Sequence, residues 1–181
     1  VKIKSILGDI NSITINKIEF DSRKIKKSDL FIAIEGTTVN GHDFIDSSIK
    51  NGSNSVIVEN IPEKTISNIC YIQVEDSSHT MSIISANYYD NPSKKIKLIG
   101  ITGTNGKTTI VTLLHQLFND LGYPSGMLST IENKIGTRVI ESTHTTGDSL
   151  QINNMLSKMV LSGCEYCFME VSSHAIHQNR I

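Results

Sequence analysis

Short apolar segments alternate with amphipathic ones over the first half of the chain, and this alternation predicts an α/β unit. Strands are expected where apolar residues run together or alternate with polar ones, and helices where they recur every three or four residues. The predicted strands cover residues 13–20, 30–34, 55–58 and 70–74, and the predicted helices cover 42–50 and 77–89.

A second α/β unit is predicted after residues 90–95, which are polar and contain a proline, as is typical of a linker. Its predicted strands are 96–101, 126–128 and 167–169, with a hairpin or ordered loop at 133–142, and its predicted helices are 107–121 and a segment from about Asp148 to Gly163. The expected buried face of the first helix consists of Ile110, Leu114, Leu117, Phe118 and Leu121.

The composition argues against several classes of protein. A net charge of −1 gives no indication of binding to nucleic acid or to an acidic membrane surface. No apolar run approaches the roughly 20 residues of a membrane span, and no signal peptide is predicted at the N-terminus.

Three cysteines do not make a disulfide framework, so we expect a reducing, cytoplasmic environment. The chain begins without Met and is expected to be a fragment of a longer protein.

The strongest chemical signal lies between the strand at 96–101 and the helix that follows it. Glycines at 100, 103 and 106 allow the backbone N–H groups to turn towards phosphate oxygens. Lys107 is placed to reach the outer phosphates of a nucleotide, and the Thr108 hydroxyl to bind Mg²⁺. The spacing is shorter than in the usual P-loop, because Ile101 stands where that pattern has its first glycine. The alternative is a glycine-rich turn that caps a helix and binds nothing.

A second candidate is Glu170, which follows the apolar residues 167–169 at the end of a predicted strand. A P-loop fold needs a carboxylate at such a position, beside the loop, to hold Mg²⁺. The alternative is a glutamate that is simply solvated. Cys164 and Cys167 have a C-x-x-C spacing but no second pair of ligands, so buried thiols are expected. For His174 a metal or substrate contact and a packing role both remain open.

Four parts of this sequence resemble the Mur ligase family, and in particular its branch that forms UDP-N-acetylmuramoyl-tripeptide. They occur in the family's order and extend over nearly the whole chain. In chain order they are Phe20-Asp21-Ser22-Arg23 with 29–36 and 40–45, the loop 103–109, the segment 145–149, and 170–174 with Gln178 and Arg180. The first resembles the family's N-terminal domain, the second its ATP loop, the third its Thr-Thr substrate segment, and the fourth its metal and substrate segment.

The resemblance implies two domains. Residues 1–92 would form a small N-terminal α/β domain that binds the UDP end of a UDP-N-acetylmuramoyl dipeptide. Residues 93–181 would form a P-loop α/β ATPase domain with a mainly parallel sheet, incomplete here. The family's modified lysine and its C-terminal, amino-acid-binding domain would lie beyond residue 181. This chain alone is therefore expected to be inactive.

The implied activity is that of an ATP- and Mg²⁺-dependent ligase of peptidoglycan synthesis. Such an enzyme adds the third amino acid, diaminopimelate or lysine, to UDP-N-acetylmuramoyl-L-alanyl-D-glutamate. The substrate carboxylate attacks the γ-phosphate of ATP to give an acyl phosphate, and the amine of the amino acid then displaces phosphate. Because the two reactants are anionic, catalysis requires positioning and positive charge rather than a strong base. No nucleic acid or membrane partner is expected, and a monomer is the default.

The resemblance also assigns roles to individual residues, and for those that would contact the UDP-substrate the alternative is an ordinary polar loop residue. Lys107, Thr108 and Glu170 would be catalytic, and Thr108 and Glu170 would hold the metal. The ATP loop would consist of Gly103, Thr104, Asn105, Gly106, Lys107, Thr108 and Thr109. The uridine end would contact Phe20, Ser22, Thr37, Thr38 and Val39. The muramoyl-peptide path would contain His144, Thr145, Thr146, Ser172, Gln178 and Arg180. His144 stands where the family often has Asn.

Three other functions remain open from the sequence. A folylpolyglutamate synthase-like ligase shares the ATP loop, although Asp21-Ser22-Arg23 argues against it. A P-loop kinase or GTPase would transfer phosphate without any UDP-sugar. A non-catalytic module would bind a UDP-sugar or nucleotide and carry a vestigial loop.

Overall fold

Residues 1–36, 39–140 and 147–177 are described by a computed structural model of the chain. Contacts between residues divide the chain into two units, Val1–Met81 and Ser82–Ile181. A five-stranded sheet lies in each unit, with helices around it. The α/β architecture predicted from the sequence is therefore confirmed. The division into functional domains after residue 92 stays a prediction.

The sheet of the first unit has the strand order β1-β5-β4-β3-β2. These strands are β1 (Ile3–Leu7), β2 (Ile18–Glu19), β3 (Leu30–Ile32), β4 (Ser55–Val58) and β5 (Cys70–Val74). Strands β2 to β5 are parallel to one another, and β1 is antiparallel to β5. The helices are α1 (Ile45–Asn51) and α2 (Ser77–Tyr88), with 3₁₀ turns at Ile10–Ser12, Ser22–Lys24 and Gly41–Phe44.

Two features of this sheet differ from the prediction. The strand expected at 13–20 is limited to Ile18–Glu19, because Ile15 faces solvent and the register pairs with β3 begin at Ile18. Strand β1 was not predicted, because all five of its residues are exposed and leave no alternating pattern. The central strands match well, since parallel strands that are covered on both faces read as continuous apolar runs.

The sheet of the second unit has the order β6-β10-β7-β8-β9. These strands are β6 (Lys97–Ile101), β7 (Ser125–Leu128), β8 (Asn133–Ile135), β9 (Arg138–Ile140) and β10 (Tyr166–Glu170). Strands β6, β10 and β7 are parallel, whereas β8 and β9 form an antiparallel hairpin beside β7. The helices are α3 (Lys107–Asp120), α4 (Ser149–Leu161) and α5 (Ser173–His177), with a 3₁₀ turn at Pro92–Lys94.

Helix α3 buries a different face from the one predicted. Its buried side chains are Val111 and His115, and Leu114 and Phe118 pack beside them against Met127 and Phe168. By contrast, Ile110, Leu117 and Leu121 are 46%, 50% and 62% exposed, so their assignment to the core was wrong. The apolar residues of the helix form one arc that covers a little under half of its circumference and is wider than the face that packs on the sheet, so the helical repeat alone does not show which part of the arc is buried.

The two cysteines at C-x-x-C spacing are buried free thiols, as expected. Burial raises the pKa of both Cys164 and Cys167, so neither is a ready thiolate. They belong to the apolar core between α4 and the sheet, together with Leu156 and Met159. Among the helices of the described residues, none has the length and apolar character needed to cross a membrane.

Candidate active site

The predicted phosphate loop connects the carboxyl end of β6 to the start of α3. Residues 102–106 are exposed, and Gly103 and Gly106 have φ angles of +152° and +80°, which favour glycine. Gly106 is the N-cap of α3, and no atom lies within 4 Å of the position that a Cβ would take there. Within the described residues no side chain caps this helix. Its first N–H groups therefore remain available to an anion.

Lys107 is the first residue of α3, and its ammonium group lies over the loop. Nζ donates to the carbonyl oxygen of Gly103 and, at 3.4 Å, to that of Thr104. Both partners are uncharged, so they do not neutralise the lysine. A phosphate arriving above the loop would meet this positive charge together with the free N–H groups of the helix. Thr108 is half-buried in the same turn, and Thr109 is exposed.

Glu170 is the last residue of β10 and is 4% exposed, so it is not the solvated glutamate of the alternative interpretation. In the parallel ladder it is the register partner of Ile101 on β6. The backbone N–H of Val171 donates to the Ile101 carbonyl at 2.9 Å. The carboxylate is therefore held at the point where the phosphate loop leaves its strand. Oε1 accepts a hydrogen bond from the Thr130 N–H at 3.2 Å.

The donor set at this edge of the sheet fits Mg²⁺. No group of three or more His, Cys, Asp or Glu suited to a metal ion occurs among the described residues. Mg²⁺ does not need such a group, because it keeps several waters and takes one or two carboxylates together with phosphate oxygens. Glu170 supplies a buried carboxylate, and Thr108 supplies a hydroxyl in the first turn of α3.

In the first unit, Phe20 and Ser22 lie on a turn directly after β2. Asp21 caps the 3₁₀ turn by accepting from the Arg23 N–H at 3.1 Å, and the Arg23 guanidinium contacts both of its carboxylate oxygens at 2.9 Å. This pairing with Arg23 holds the pKa of Asp21 below its usual value. Phe20 is half-buried and Ser22 is buried, and the Ser22 carbonyl accepts from Asn51 at 2.8 Å.

Glu19, which the sequence analysis did not select, organises this turn. It is 6% exposed, and its Oε1 accepts from the N–H groups of Phe20 at 3.1 Å and Asp21 at 3.3 Å. Its other oxygen pairs with Lys17 at 3.2 Å. The sequence feature that could have identified Glu19 is an acidic residue at the end of an apolar strand, which is also the feature that identified Glu170.

The proposed uridine loop begins and ends on paired backbone. Glu35 and Asn40 form an antiparallel bridge, and the Gly36 N–H donates to the Val39 carbonyl at 3.1 Å. Val39 itself is exposed. Thr37 and Thr38 lie outside the described residues. The segment is tied to the sheet at Gly41, whose N–H donates to the Ile34 carbonyl at 2.8 Å.

His42 holds the same segment from the other side. Its Nδ1 lies 2.9 Å from Asn40 Oδ1, and its Nε2 accepts from the Glu59 N–H at 3.0 Å. His42 therefore connects Asn40 to Glu59, the residue that follows β4. His42 was not among the predicted site residues, and its place in the Asn-Gly-His segment was the signal that could have selected it.

Most of the predicted muramoyl-peptide residues lie outside the described residues: His144, Thr145, Thr146, Gln178 and Arg180. Beside them, Asp148 caps α4 by accepting from the Gln151 N–H at 2.9 Å. Ser172 is half-buried, and its hydroxyl accepts from the Ala175 N–H at 3.1 Å. The roles predicted for these residues in substrate binding stay predictions.

Two family descriptions match the chain, and between them they cover most of it. Residues 14–89 match the Mur ligase family, catalytic domain, and residues 101–181 match the Mur ligase middle domain. The chain belongs to the Mur ligase family. The resemblance found in the sequence is thereby confirmed, and the two matched regions correspond to the two α/β units of this Mur ligase chain.

Individual relatives of this Mur ligase chain are similar over its whole length. The UDP-N-acetylmuramoyl-L-alanyl-D-glutamate–2,6-diaminopimelate ligase of Cytophaga hutchinsonii is 49% identical over 182 residues, which is 100% of this chain and 37% of that protein. One such ligase of Clostridium acetobutylicum is 44% identical over 181 residues, with the same coverage of 100% and 37%. A solved structure of a ligase with the same name aligns with a TM-score of 0.74 and 25% identity, over 92% of this chain and 34% of that one. The chain thus spans 37% of the length of these curated relatives.

Proposed function

We propose that this chain provides the UDP-substrate-binding and ATP-binding parts of a ligase that adds diaminopimelate to UDP-N-acetylmuramoyl-L-alanyl-D-glutamate. The relatives that are 49% and 44% identical carry this activity in their names, which favours diaminopimelate over lysine. In the proposed division, residues 1–92 bind the UDP end of the substrate and residues 93–181 bind ATP. The proposed protein is a cytoplasmic monomer.

One observation supports the chemistry more than any other. A buried carboxylate, Glu170, is register-paired with the residue from which the phosphate loop departs, Ile101. A glycine-rich turn that merely capped a helix would need neither a buried carboxylate beside it nor a lysine ammonium group over it. Phosphoryl transfer needs both, because the metal and the lysine must reach the same group of phosphate oxygens.

The reaction joins two anions, the substrate carboxylate and the γ-phosphate of ATP. The carboxylate oxygen forms a bond to the γ-phosphorus while the bond to the ADP oxygen breaks, which gives an acyl phosphate and ADP. The amine of the amino acid then attacks the acyl carbon, loses a proton, and expels inorganic phosphate to leave the amide. Lys107 and the first N–H groups of α3 hold the phosphates and reduce the repulsion between the two anions.

Thr108 and Glu170 are the residues that would hold Mg²⁺, which supplies further positive charge at the β- and γ-phosphates when it is bound. Glu170 is oriented for this role by the hydrogen bond that its Oε1 accepts from the Thr130 N–H at 3.2 Å. On the first unit, the turn that contains Phe20 and Ser22 and the loop at 36–40 form the proposed uridine contacts.

The test is Lys107→Ala in the complete gene product. We expect ATP turnover to fall by about 100-fold or more, the usual loss when one preorganised charge donor is removed, with binding of the UDP-dipeptide retained. The matched control is Lys97→Ala, because Lys97 lies at the opposite end of β6 and contacts Tyr166 instead of the loop.

Unchanged turnover in Lys107→Ala would contradict the assignment. Transfer of phosphate from ATP in the absence of any UDP-substrate would favour a kinase instead. Binding of the UDP-substrate without any ATP turnover in the wild type would favour a non-catalytic module.

A further inference from the structure

The residue that follows β7, Ser129, holds together the turn at 129–132. Its side chain is buried, and Oγ donates to the Glu132 carbonyl at 2.6 Å. The same oxygen accepts from the N–H groups of Ile131 at 3.3 Å and Glu132 at 3.1 Å. The Ser129 N–H donates to Asn133 Oδ1 at 3.2 Å. The turn is therefore fixed by two side chains, a serine at its start and an asparagine at its end.

This turn presents one backbone N–H to the proposed metal ligand. Thr130 lies inside it, and its N–H donates to Glu170 Oε1 at 3.2 Å. The last torsion of a glutamate side chain has broad preferences of its own, so a hydrogen bond to one oxygen is what determines its orientation. Oε1 is engaged by Thr130, and among the described residues no hydrogen bond or ion pair engages Oε2, which is therefore the oxygen left for a cation.

The sheet places this turn opposite the phosphate loop. Strand β10 lies between β6 and β7, and all three are parallel. Glu170 pairs with Ile101 on one side, and Met169 pairs with Leu128 on the other. The phosphate loop and the Ser129 turn therefore leave the same edge of the sheet, on either side of the carboxylate.

We propose that Ser129 is a positioning residue for the metal site. By shaping the turn that gives the Thr130 N–H to Glu170, it sets the orientation of the carboxylate and so the affinity for the divalent cation. This inference rests on the proposed function, in which Glu170 is a metal ligand. Partners that orient a ligand typically contribute about 10- to 100-fold to metal affinity or activity.

The experiment compares Ser129→Ala with Ser125→Ala in the complete gene product. Ser125 is the matched control because it is also a fully buried serine with several hydrogen bonds, at the opposite end of β7. Its hydroxyl accepts from Asn119 at 2.7 Å and lies 3.0 Å from Nδ1 of His115. Each variant loses one buried, hydrogen-bonded hydroxyl at an end of β7, and of the two serines only Ser129 shapes the turn that contacts Glu170.

The main measurement is the affinity for Mn²⁺ in the presence of a non-hydrolysable ATP analogue, followed by the electron paramagnetic resonance signal of free Mn²⁺. We expect about 10-fold weaker binding in Ser129→Ala and wild-type binding in Ser125→Ala. In the ligase assay, Ser129→Ala should need about 10-fold more Mg²⁺ for half-maximal rate and recover most of its kcat at saturating Mg²⁺.

Equal Mn²⁺ affinity in the wild type and Ser129→Ala would overturn the inference. So would an equal loss in both serine variants, which would indicate general loosening of the sheet. If Ser129→Ala does not fold, Asn133→Ala replaces it, since it releases the other end of the same turn, and the same two results apply. A wild-type protein that binds no Mn²⁺ with the nucleotide would instead overturn the proposed function, and the inference with it.

Discussion

Gly41 should tolerate no side chain, and replacing it by Ala tests the way the first unit holds its proposed uridine loop. A Cβ at this position would lie 2.5 Å from the Ile34 nitrogen, 2.6 Å from the Ile34 oxygen and 3.0 Å from the Ala33 carbonyl carbon. All three atoms belong to the backbone of the two residues that follow β3. They cannot rotate away as the end of a side chain can, so the segment or the strand must move.

The expected cost follows from that geometry. Overpacking a well-packed site usually costs about 1–3 kcal/mol, and a clash with backbone on three atoms belongs at the upper end of that range. The movement would also disturb the hydrogen bond from the Gly41 N–H to the Ile34 carbonyl. We therefore expect Gly41→Ala to lower the free energy of unfolding by about 3 kcal/mol and to weaken binding of the UDP-substrate.

The matched control is Gly100→Ala, which also adds one methyl group, here within the parallel strand β6. Its Cβ would meet one atom, the Cγ2 of Val171, at 3.0 Å, and a side chain can adjust by a few tenths of an ångström. A loss below about 1 kcal/mol is expected there. Urea unfolding followed by circular dichroism gives both values, and amide exchange at residue 41, which donates the hydrogen bond to the Ile34 carbonyl, shows whether the change in Gly41→Ala is local. A Gly41→Ala protein within about 0.5 kcal/mol of the wild type, or equal losses in both variants, would refute this reasoning.

Three further predictions concern charged and titratable groups. Burial lowers the pKa of His115, so the unfolded chain takes up the proton first and stability should decline as the pH falls below about 6.5. His115→Gln should reduce that decline in thermal unfolding scans. A pH profile identical to that of the wild type would contradict this prediction. The Arg23 contact lowers the pKa of Asp21. The contribution of Asp21 to stability is therefore present above about pH 4 and is lost as the pH falls through the pKa of the folded state. Asp21→Asn should remove this acid-dependent loss, and an acid unfolding profile identical to that of the wild type would argue against the prediction. Glu170→Gln should weaken Mn²⁺ binding by more than about 10-fold. Its unfolding temperature should change little, because the amide oxygen can still accept from Thr130. An unaltered Mn²⁺ affinity would show that Glu170 is not a metal ligand.

The elements that the sequence predicted well are those with one dominant local cause. Helix α4 begins at a residue with a capping side chain, Asp148, and is followed by Gly163 with φ of +78°. Strands β3 and β4 are continuous apolar runs in a parallel sheet. Strand β1 could not be found, because its pairing with β5 is a long-range backbone interaction and all five of its residues are exposed. The buried face of α3 also depends on tertiary packing, because its apolar arc is wider than the face that packs on the sheet.

The same limit applies to the candidate site, and three acidic residues show it. Glu19, Glu59 and Glu170 each stand at or just after the carboxyl end of a parallel strand, so sequence position alone does not rank them. Contacts do. Glu19 is engaged by two N–H groups and by Lys17, and Glu59 Oε1 accepts both the N–H and the hydroxyl of Ser77.

Glu170 differs from these two because its partner within the described residues is a single N–H, that of Thr130. A carboxylate that already contacts a cation and several donors stabilises its own turn, and few of its lone pairs remain available to bind a ligand. A carboxylate that is 4% exposed has lost most of its hydration, and a single neutral donor replaces little of it. Such a group is stabilised by a divalent cation, and it lies beside the phosphate loop, where the proposed reaction brings one.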